Sequence, residues 1–315
     1  MDCNYYRQFL CPEVREQTYI QSNCRKSRFR SHFRVPLSLV DDLTSMFLER
    51  GWVQPTKHIR DHKLYVRTQL FIMCSLEHLG SRKPLQQFTT KTNMSLTEHT
   101  RFQKIFVDHL YEIKSEYIDY PSTFDQLKPI LQEYYNKHLP GAGGSIDVVH
   151  VKWSKCPAGD YNKCKGKETF PSLAFECITD HRWRILGIAP VQYGARSDKH
   201  IVRLDPTVHL IKNAWYKEVK WEHFDVVGER KVSTGIYLIC DGGYLRWKTL
   251  IAPYKGAPTC GRRGHFNTNL ESVRKDVECT FGILKKRWRI LDYGIHYIDM
   301  YNCEKILQSV QCCTI

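Results

Sequence analysis

The strongest constraint on the fold of this chain is an acidic residue that interrupts an apolar run. The segment 144–151 reads GSIDVVHV and places Asp147 among residues typical of a buried strand. A second apolar run, 236–243 (IYLICDGG), ends in Asp241. Removing an ionised carboxylate from water costs several kcal/mol unless a cation or hydrogen-bond donors compensate it. The two acids therefore predict a compensating cation close to both runs.

The whole chain is strongly basic. Its 315 residues include 47 Lys and Arg against 33 Asp and Glu, which gives a net charge of +14 and a pI near 9.2. This excess favours an acidic partner, either nucleic acid or an anionic membrane surface. The membrane is disfavoured because neither terminus has the pattern of a basic amphipathic helix. The segment 25–34 (RKSRFRSHFR) is predicted to be a basic arm that is either solvated or in contact with DNA.

Composition and length narrow the class of protein further. A hydrophobic share of 42%, with 12% aromatic residues, suffices for packed cores and excludes a disordered chain. The length favours two domains. No apolar stretch could span a bilayer and the first residues have no apolar signal core, so we expect a soluble, intracellular protein. The 13 cysteines contain no C-x-x-C pair, and we expect them to be reduced.

The first domain, predicted over 1–140, is helical and contains a helix-turn-helix-like segment at about 62–113. Asn93 falls in a predicted turn, and Ser95 and Glu98 have the spacing of a capping box for the helix that follows. Helix, turn and capped helix resemble a DNA-binding helix-turn-helix. An ordinary three-helix bundle is the alternative. The polar residues of the capped helix that are predicted to face DNA or water are His99, Arg101, Gln103 and Lys104.

The second domain, predicted over 141–315, begins where the pattern changes from helical to strand-like. Strands are predicted at 144–151, at 170–179 and 183–192 as a hairpin, and at 235–240, with helices from about Lys199 and over 270–291. The apolar stripe of the last helix comprises Leu270, Val273, Val277, Phe281, Leu284, Trp288 and Leu291. This order predicts an α/β fold with a ribonuclease H-like core: a mixed five-stranded sheet with flanking helices, preceded by the small all-α domain.

Three acids could converge in that fold. The first and fourth strands would be parallel neighbours about 4.8 Å apart, so Asp147 and Asp241 could share one metal ion, and carboxylates suit hard cations such as Mg²⁺. Glu278 lies about 100° from the centre of the stripe of the last helix, at the edge of its buried face. Arg274 and Lys285 lie on the same flank, where they could meet DNA phosphates. Two simpler explanations stay open: Asp241 as a turn former and Glu278 as an ion-pair partner of Arg274.

Three segments resemble the PIF/Harbinger superfamily of DDE transposases: 144–147 (GSID), 239–244 (ICDGGY) and 274–288 (RKDVECTFGILKKRW). The last is the most specific, with Val-Glu, two residues, Phe-Gly, and Leu-Lys followed by an Arg-aromatic pair. Lys165-Gly166-Lys167 and Gly194-Ala195-Arg196-Ser197-Asp198 stand where the family has a Gly-Lys turn and a Gly-Ser-x-x-Asp element. The resemblance covers roughly residues 140–300.

The resemblance implies site residues and cofactors. Carried over by position, Asp147, Asp241 and Glu278 would be the catalytic and metal-binding triad. Asp198 would be either a fourth acid at the metals or only a helix cap. The implied cofactors are two Mg²⁺ (or Mn²⁺) ions. Both lysines of the Gly-Lys turn, Lys165 and Lys167, would contact DNA.

The implied activity is metal-dependent DNA strand cleavage and strand transfer at transposon ends, by a transposase or a transposase-derived endonuclease. Its partners would be double-stranded DNA, a Myb-like accessory protein and further copies of the chain, since two DNA ends must be joined. The implied location is the nucleus. The alternatives are a domesticated, catalytically silent DNA-binding or scaffold protein, and a metal nuclease that does not transpose.

Overall fold

The computed structural model describes residues 3–20, 23–55, 59, 61–225, 227–256, 258 and 260–314. These residues form two compact units. The first consists of Met1–Lys114, Lys285–Tyr293 and Lys305–Thr314, and the second of Ser115–Leu284 and Gly294–Glu304. No helix in the described part of the chain is both long enough and apolar enough to cross a bilayer.

The α-helices of the described residues follow one another along the chain. They are α1 (Pro12–Ile20), α2 (Asn23–Phe33), α3 (Leu37–Glu49), α4 (Asp61–Ser81), α5 (Gln86–Thr92), α6 (Leu96–Glu112), α7 (Lys114–Tyr117), α8 (Phe124–Asn136), α9 (Tyr161–Cys164), α10 (Asp198–Ile201), α11 (Pro206–Asn213), α12 (Arg262–Arg287), α13 (Arg289–Tyr293) and α14 (Met300–Cys312). Shorter π and 3₁₀ turns are Tyr6–Leu10, Ala158–Asp160, Val202–Leu204 and Trp215–Glu218.

The strands all lie in the second unit. They are β1 (Ala142–Lys152), β2 (Ser172–Thr179), β3 (Ile185–Ile188), β4 (Gln192–Tyr193), β5 (Lys220–Phe224), β6 (Arg230–Thr234), β7 (Tyr237–Ile239) and β8 (Leu250–Ile251).

The first unit is helical among its described residues, and its helix starts follow the sequence signals. Ser95 caps α6 in a capping box: its side chain accepts from the N–H of Glu98, whose carboxylate accepts from the N–H of Ser95. Asn93 ends α5 in the left-handed conformation with φ 56°, which Asn tolerates better than most residues. The predicted turn and capping box are therefore confirmed.

Two of the four polar residues predicted to face outward from α6 are buried, so the prediction is wrong for them. His99 is 2% and Gln103 3% exposed, whereas Arg101 and Lys104 are exposed. The His99 ring is hydrogen-bonded to the Thr92 hydroxyl at 2.9 Å and meets an aromatic ring of α4 edge-on. The buried face of α6 is thus wider than its apolar stripe, because a polar partner is available to His99 inside the unit.

The sheet of the second unit is mixed and has six strands, where five were predicted. Its order is β3-β2-β1-β7-β8, and β4 pairs with β2. The predicted hairpin is present, since β2 pairs antiparallel with both β1 and β3. Its second arm is divided into β3 and β4 by a segment that contains Pro190, a residue without the N–H that a strand ladder needs. Strands β5 and β6 form a separate two-stranded sheet.

The second unit begins upstream of the predicted boundary at 140/141. Helix α8 packs against β1, and its residues Leu127, Ile130 and Tyr134 belong to the same hydrophobic core as Ile146 of β1. The glycines at 141–144 consequently lie inside this unit. Every residue of the predicted apolar stripe of the last helix is buried, although α12 starts at Arg262 and the stripe continues into α13 after a break at Trp288.

A fully buried carboxylate lies within the first unit. Glu77 of α4 is 0% exposed and accepts hydrogen bonds from the Tyr5 hydroxyl and from Lys83 Nζ at 2.6 Å. The His32 ring lies 3.1 Å and Lys91 Nζ 3.4 Å from the same carboxylate. Burial alone would raise the pKa of the Glu77 carboxyl, but its partners outweigh burial and hold this pKa at about 2. The charge of Glu77 therefore stabilises the fold.

We expect Glu77→Gln to lower the free energy of unfolding at pH 7 by about 3 kcal/mol, because the surrounding cations lose their counter-charge. The folded-state pKa is depressed, so the stabilisation is complete above pH 4.5 and is lost as the pH falls towards 2. Urea unfolding followed by far-UV circular dichroism at several pH values measures both effects. Glu49→Gln, at an exposed position of α3, is the matched control. An equal loss at pH 7 and pH 2.5 would contradict a role for the charge.

Candidate active site

Two neighbouring parallel strands place Asp147 and Asp241 side by side. Ser145 of β1 is paired with Ile239 of β7, and each aspartate follows its paired residue by two positions. Asp147 Oδ1 accepts from the N–H of Val148 at 2.8 Å, and Asp241 Oδ1 accepts from the N–H of Gly243 at 2.8 Å. Both carboxylates are thereby oriented by the backbone beside the carboxyl end of β7.

Helix α12 supplies a third acid, Glu278, and Arg274 links it to Asp147. The guanidinium meets three carboxylates: Nη1 lies 3.1 Å from Asp147 Oδ2, Nη2 lies 2.8 Å from Glu278 Oε1, and Nε lies 3.1 Å from Glu271 Oε2. The ion pair of Glu278 with Arg274, left open as a simple explanation for this acid, is thus present. The same arginine also joins Glu278 to Asp147, which lies far away in the sequence.

Asp198 lies on the other side of Asp241. A Cβ built on Gly243 would be 2.8 Å from Asp198 Oδ2 and 2.9 Å from Asp241 Oδ1, so both carboxylates border the space that this glycine leaves open. Burial, followed by the charge of Asp241, raises the pKa of Asp198, while Lys167 lowers it. Ser197 occupies the N-cap position of α10 and Asp198 is the first residue of the helix, so Asp198 is not the cap.

The Gly-Lys turn and the segment that contains Asp198 are in contact. A Cβ on Gly166 would collide with the backbone of Gly194 and Ala195, so only glycine allows this approach. Lys165 and Lys167 flank Gly166 and are both exposed. The two short motifs therefore form one surface of the second unit.

The environment of Asp147 disfavours its negative charge. Burial raises the pKa of this carboxyl to about 6, and the charges of Asp241 and Glu278 add to the increase. The Val148 N–H and Arg274 act in the opposite direction without offsetting it. The side chain of Asp147 is 19% exposed, which is enough for a small cation to reach it.

The remaining predicted site residues lie in the first unit. Lys285 is in the last turn of α12, partly buried, and Arg101 and Lys104 are on α6. These three residues belong to a different compact unit from the four acids.

The sequence analysis missed a buried polar cluster in the second unit. Glu176 of β2 and Asp205, which caps α11, are both 0% exposed, and Tyr244 is 3% exposed. Burial, followed by the charge of Asp205, raises the pKa of the Glu176 carboxyl to about 10, so this acid is protonated at neutral pH. An acid inside an apolar run was the signal that singled out Asp147. The run LAFECIT around Glu176 carries the same signal.

The side chains of Asp147, Asp198, Asp241 and Glu278 offer carboxylate oxygens, the donors that hard divalent cations prefer. Because Gly243 has no side chain, there is open space between the carboxylates of Asp198 and Asp241. As the side chains stand, no three His, Cys, Asp or Glu within the described ranges form a ready metal-binding group. The position between Asp147 and Glu278 is held by Arg274. The donor chemistry thus fits a divalent ion, and Arg274 contacts two of the four donors.

We expect Asp147→Asn to gain stability relative to wild type as the pH rises from 4 to 7 in metal-free buffer. The folded-state pKa is raised, so the folded wild type binds a proton more tightly than the unfolded chain and loses stability as the pH rises from 3.8 to about 6. The difference between the variants should change by up to about 3 kcal/mol over this range. Urea unfolding at each pH measures it, and a constant difference would contradict the raised pKa.

The chain is similar to known proteins over the part of the sequence that contains these acids. A family model described as plant transposon protein matches residues 115–315. Protein ALP1-like of Arabidopsis thaliana is 22% identical over 289 residues, which cover 91% of this chain and 69% of that protein. No solved structure gives a significant match. Because the family match spans well over half of its length, the chain belongs to the plant transposon proteins, a family of PIF/Harbinger-derived, transposase-like proteins.

Proposed function

We propose that the chain is a divalent-metal-dependent DNA endonuclease that cleaves and transfers strands at transposon ends. The observation that carries this proposal is the convergence of acids from three distant segments: β1, the end of β7 and the middle of α12. Carboxylates assembled in this way are costly unless a cation joins them. Family membership supports phosphodiester cleavage as the chemistry.

We extend the proposal to the fold. The antiparallel hairpin β2-β3 beside β1, the parallel partner β7 and the crossing helices are compatible with a ribonuclease H-like core. In that core the first strand and its parallel neighbour carry the first two acids, and a later helix carries the third. The positions of Asp147, Asp241 and Glu278 agree with that assignment.

In this proposal some residues of the site bind divalent ions and others bind DNA. Divalent ions held by the carboxylates supply the positive charge that phosphodiester cleavage needs in its transition state. Asp147 and Asp241 are oriented in advance by backbone N–H groups, which lowers the cost of arranging them. Lys165 and Lys167 are exposed and would contact phosphates, Lys167 near Asp198.

The partners and location follow from the same proposal. The substrate is double-stranded DNA, the active form is a homo-oligomer because two ends must be joined, and the location is the nucleus. A Myb-like accessory protein assists in recognising the ends. The net charge of +14 supports a polyanionic substrate.

The first test is nicking of supercoiled plasmid in Mg²⁺ or Mn²⁺ by wild type, Asp147→Asn and Asp241→Asn. We expect both variants to lose at least about a hundredfold in rate and to bind DNA as wild type does, because each removes a metal ligand but no DNA contact. Asp125→Asn, at an exposed position of α8, is the control. Wild-type rates in Asp147→Asn would contradict the assignment.

The same assay separates the alternative functions. Joining of a cleaved strand to a second DNA distinguishes a transposase from a nuclease that only cuts. A folded wild type that binds DNA and never nicks it, even with transposon ends and its partner present, would indicate a catalytically silent DNA-binding or scaffold protein.

The second test addresses the helix-turn-helix-like segment. Arg101 and Lys104 are the predicted DNA contacts that remain exposed on α6. We expect Arg101→Ala with Lys104→Ala to weaken DNA binding and to reduce the slope of log K against log salt by about one for each cation removed. Lys128→Ala on α8, also exposed, is the control. An unchanged slope in the double variant would indicate an ordinary helical bundle with no DNA contact at these residues.

A further inference from the structure

The guanidinium of Arg274 has an unusual set of partners. Each of its three nitrogen atoms lies within 3.1 Å of a different carboxylate. Two of these acids, Asp147 and Glu278, are proposed metal ligands, and the third, Glu271, is not. The arginine side chain is 14% exposed, so it lies within the site and not at its rim.

The position of Arg274 on the helix explains the arrangement. Residues 271, 274 and 278 follow one another at three- and four-residue spacing, which places them on one face of α12. Arg274 lies between the two glutamates and also reaches across to β1. One planar group therefore joins the helix to the strand through Asp147 and Glu278, two of the proposed metal ligands.

A guanidinium and a divalent ion compete for the same charge. A bound ion must replace the Nη1–Asp147 and Nη2–Glu278 contacts, and in addition it meets the repulsion of the arginine. Arg274 does not fully compensate the acids, since its single positive charge meets three carboxylates. The site thus retains an attraction for a further cation, at the cost of displacing the arginine.

We propose that Arg274 is an internal counter-cation that holds Asp147 and Glu278 together and must be displaced before a divalent ion binds between them. The inference rests on the proposed metal-dependent function. Arg274 acts through the two acids, so it is a positioning residue in this role. Its partner Glu271 gives the displaced guanidinium a second anchor on the same helix.

Binding of Mn²⁺ to the metal-free full-length chain tests this inference, with free Mn²⁺ followed by electron paramagnetic resonance. We expect Arg274→Met to bind Mn²⁺ about five- to a hundredfold more tightly than wild type, the range of a coupling lost between two cations. Asp147→Asn added to Arg274→Met should abolish the gain, which locates the ion at the acids that Arg274 contacts.

The matched control is Lys275→Met, which removes the same charge from the next, exposed position of α12. We expect its affinity to stay within about twofold of wild type, as for other surface charges. Arg274→Lys keeps the charge and loses the two-armed bridge, so its affinity should lie between those of wild type and Arg274→Met. If Arg274→Met fails to fold by circular dichroism, Arg274→Lys carries the test.

The outcomes separate this inference from the proposed function. Binding by wild type that is no weaker than binding by folded Arg274→Met would overturn the counter-cation role and leave the metal site in place. An equal gain in Lys275→Met would also overturn it, because general charge would then explain the effect. No binding by any variant would overturn both the inference and the metal-dependent function.

Discussion

The parallel pairing of β1 with β7 is the contact on which the rest of the second unit depends. Parallel neighbours cannot be joined by a tight turn, so the chain must leave the sheet and return between them. Here it does so through the β2-β3 hairpin, α10, α11 and the β5-β6 ribbon. The pairing brings Asp147 next to Asp241. One face of α12 then adds Glu278 to these two acids. A shift of this register by one residue would turn Asp147 to the opposite side of the sheet.

The two units differ in how well they compensate a carboxylate that is removed from water. In the first, Glu77 is surrounded by fixed cations and a tyrosine hydroxyl, and its charge adds to stability. In the second, Asp147 is half-buried beside other acids, one arginine contacts it, and its charge opposes folding. Titratable groups held at such a cost to stability are typical of functional sites.

Local signals in the sequence predicted the helices and strands well, whereas contacts between residues far apart in the chain were harder to predict. The capping box of Ser95, the hairpin and the buried stripe of α12 each depend on residues close together in the chain. The burial of His99 depends on a hydroxyl and a ring supplied by other helices, which periodicity does not show. The second unit starts upstream of β1 because α8 packs against this strand. The glycines at 141–144 suggested a later boundary, so this contact was not predicted. The pairing of Arg274 with Glu278, one helical turn away, was among the explanations that the sequence offered, whereas its contact with Asp147 on a distant strand could not be predicted.

Gly243 is a position where a substitution would change the proposed metal site without changing the fold. The backbone there does not require glycine, since its φ lies outside the left-handed region, yet an added methyl would stand 2.8 Å from Asp198 and 2.9 Å from Asp241. A single base change from a glycine to an alanine codon would therefore fill the space between two acids without altering the course of the chain. A lineage of such proteins could lose the proposed ion site in one mutational step and still inherit an intact fold.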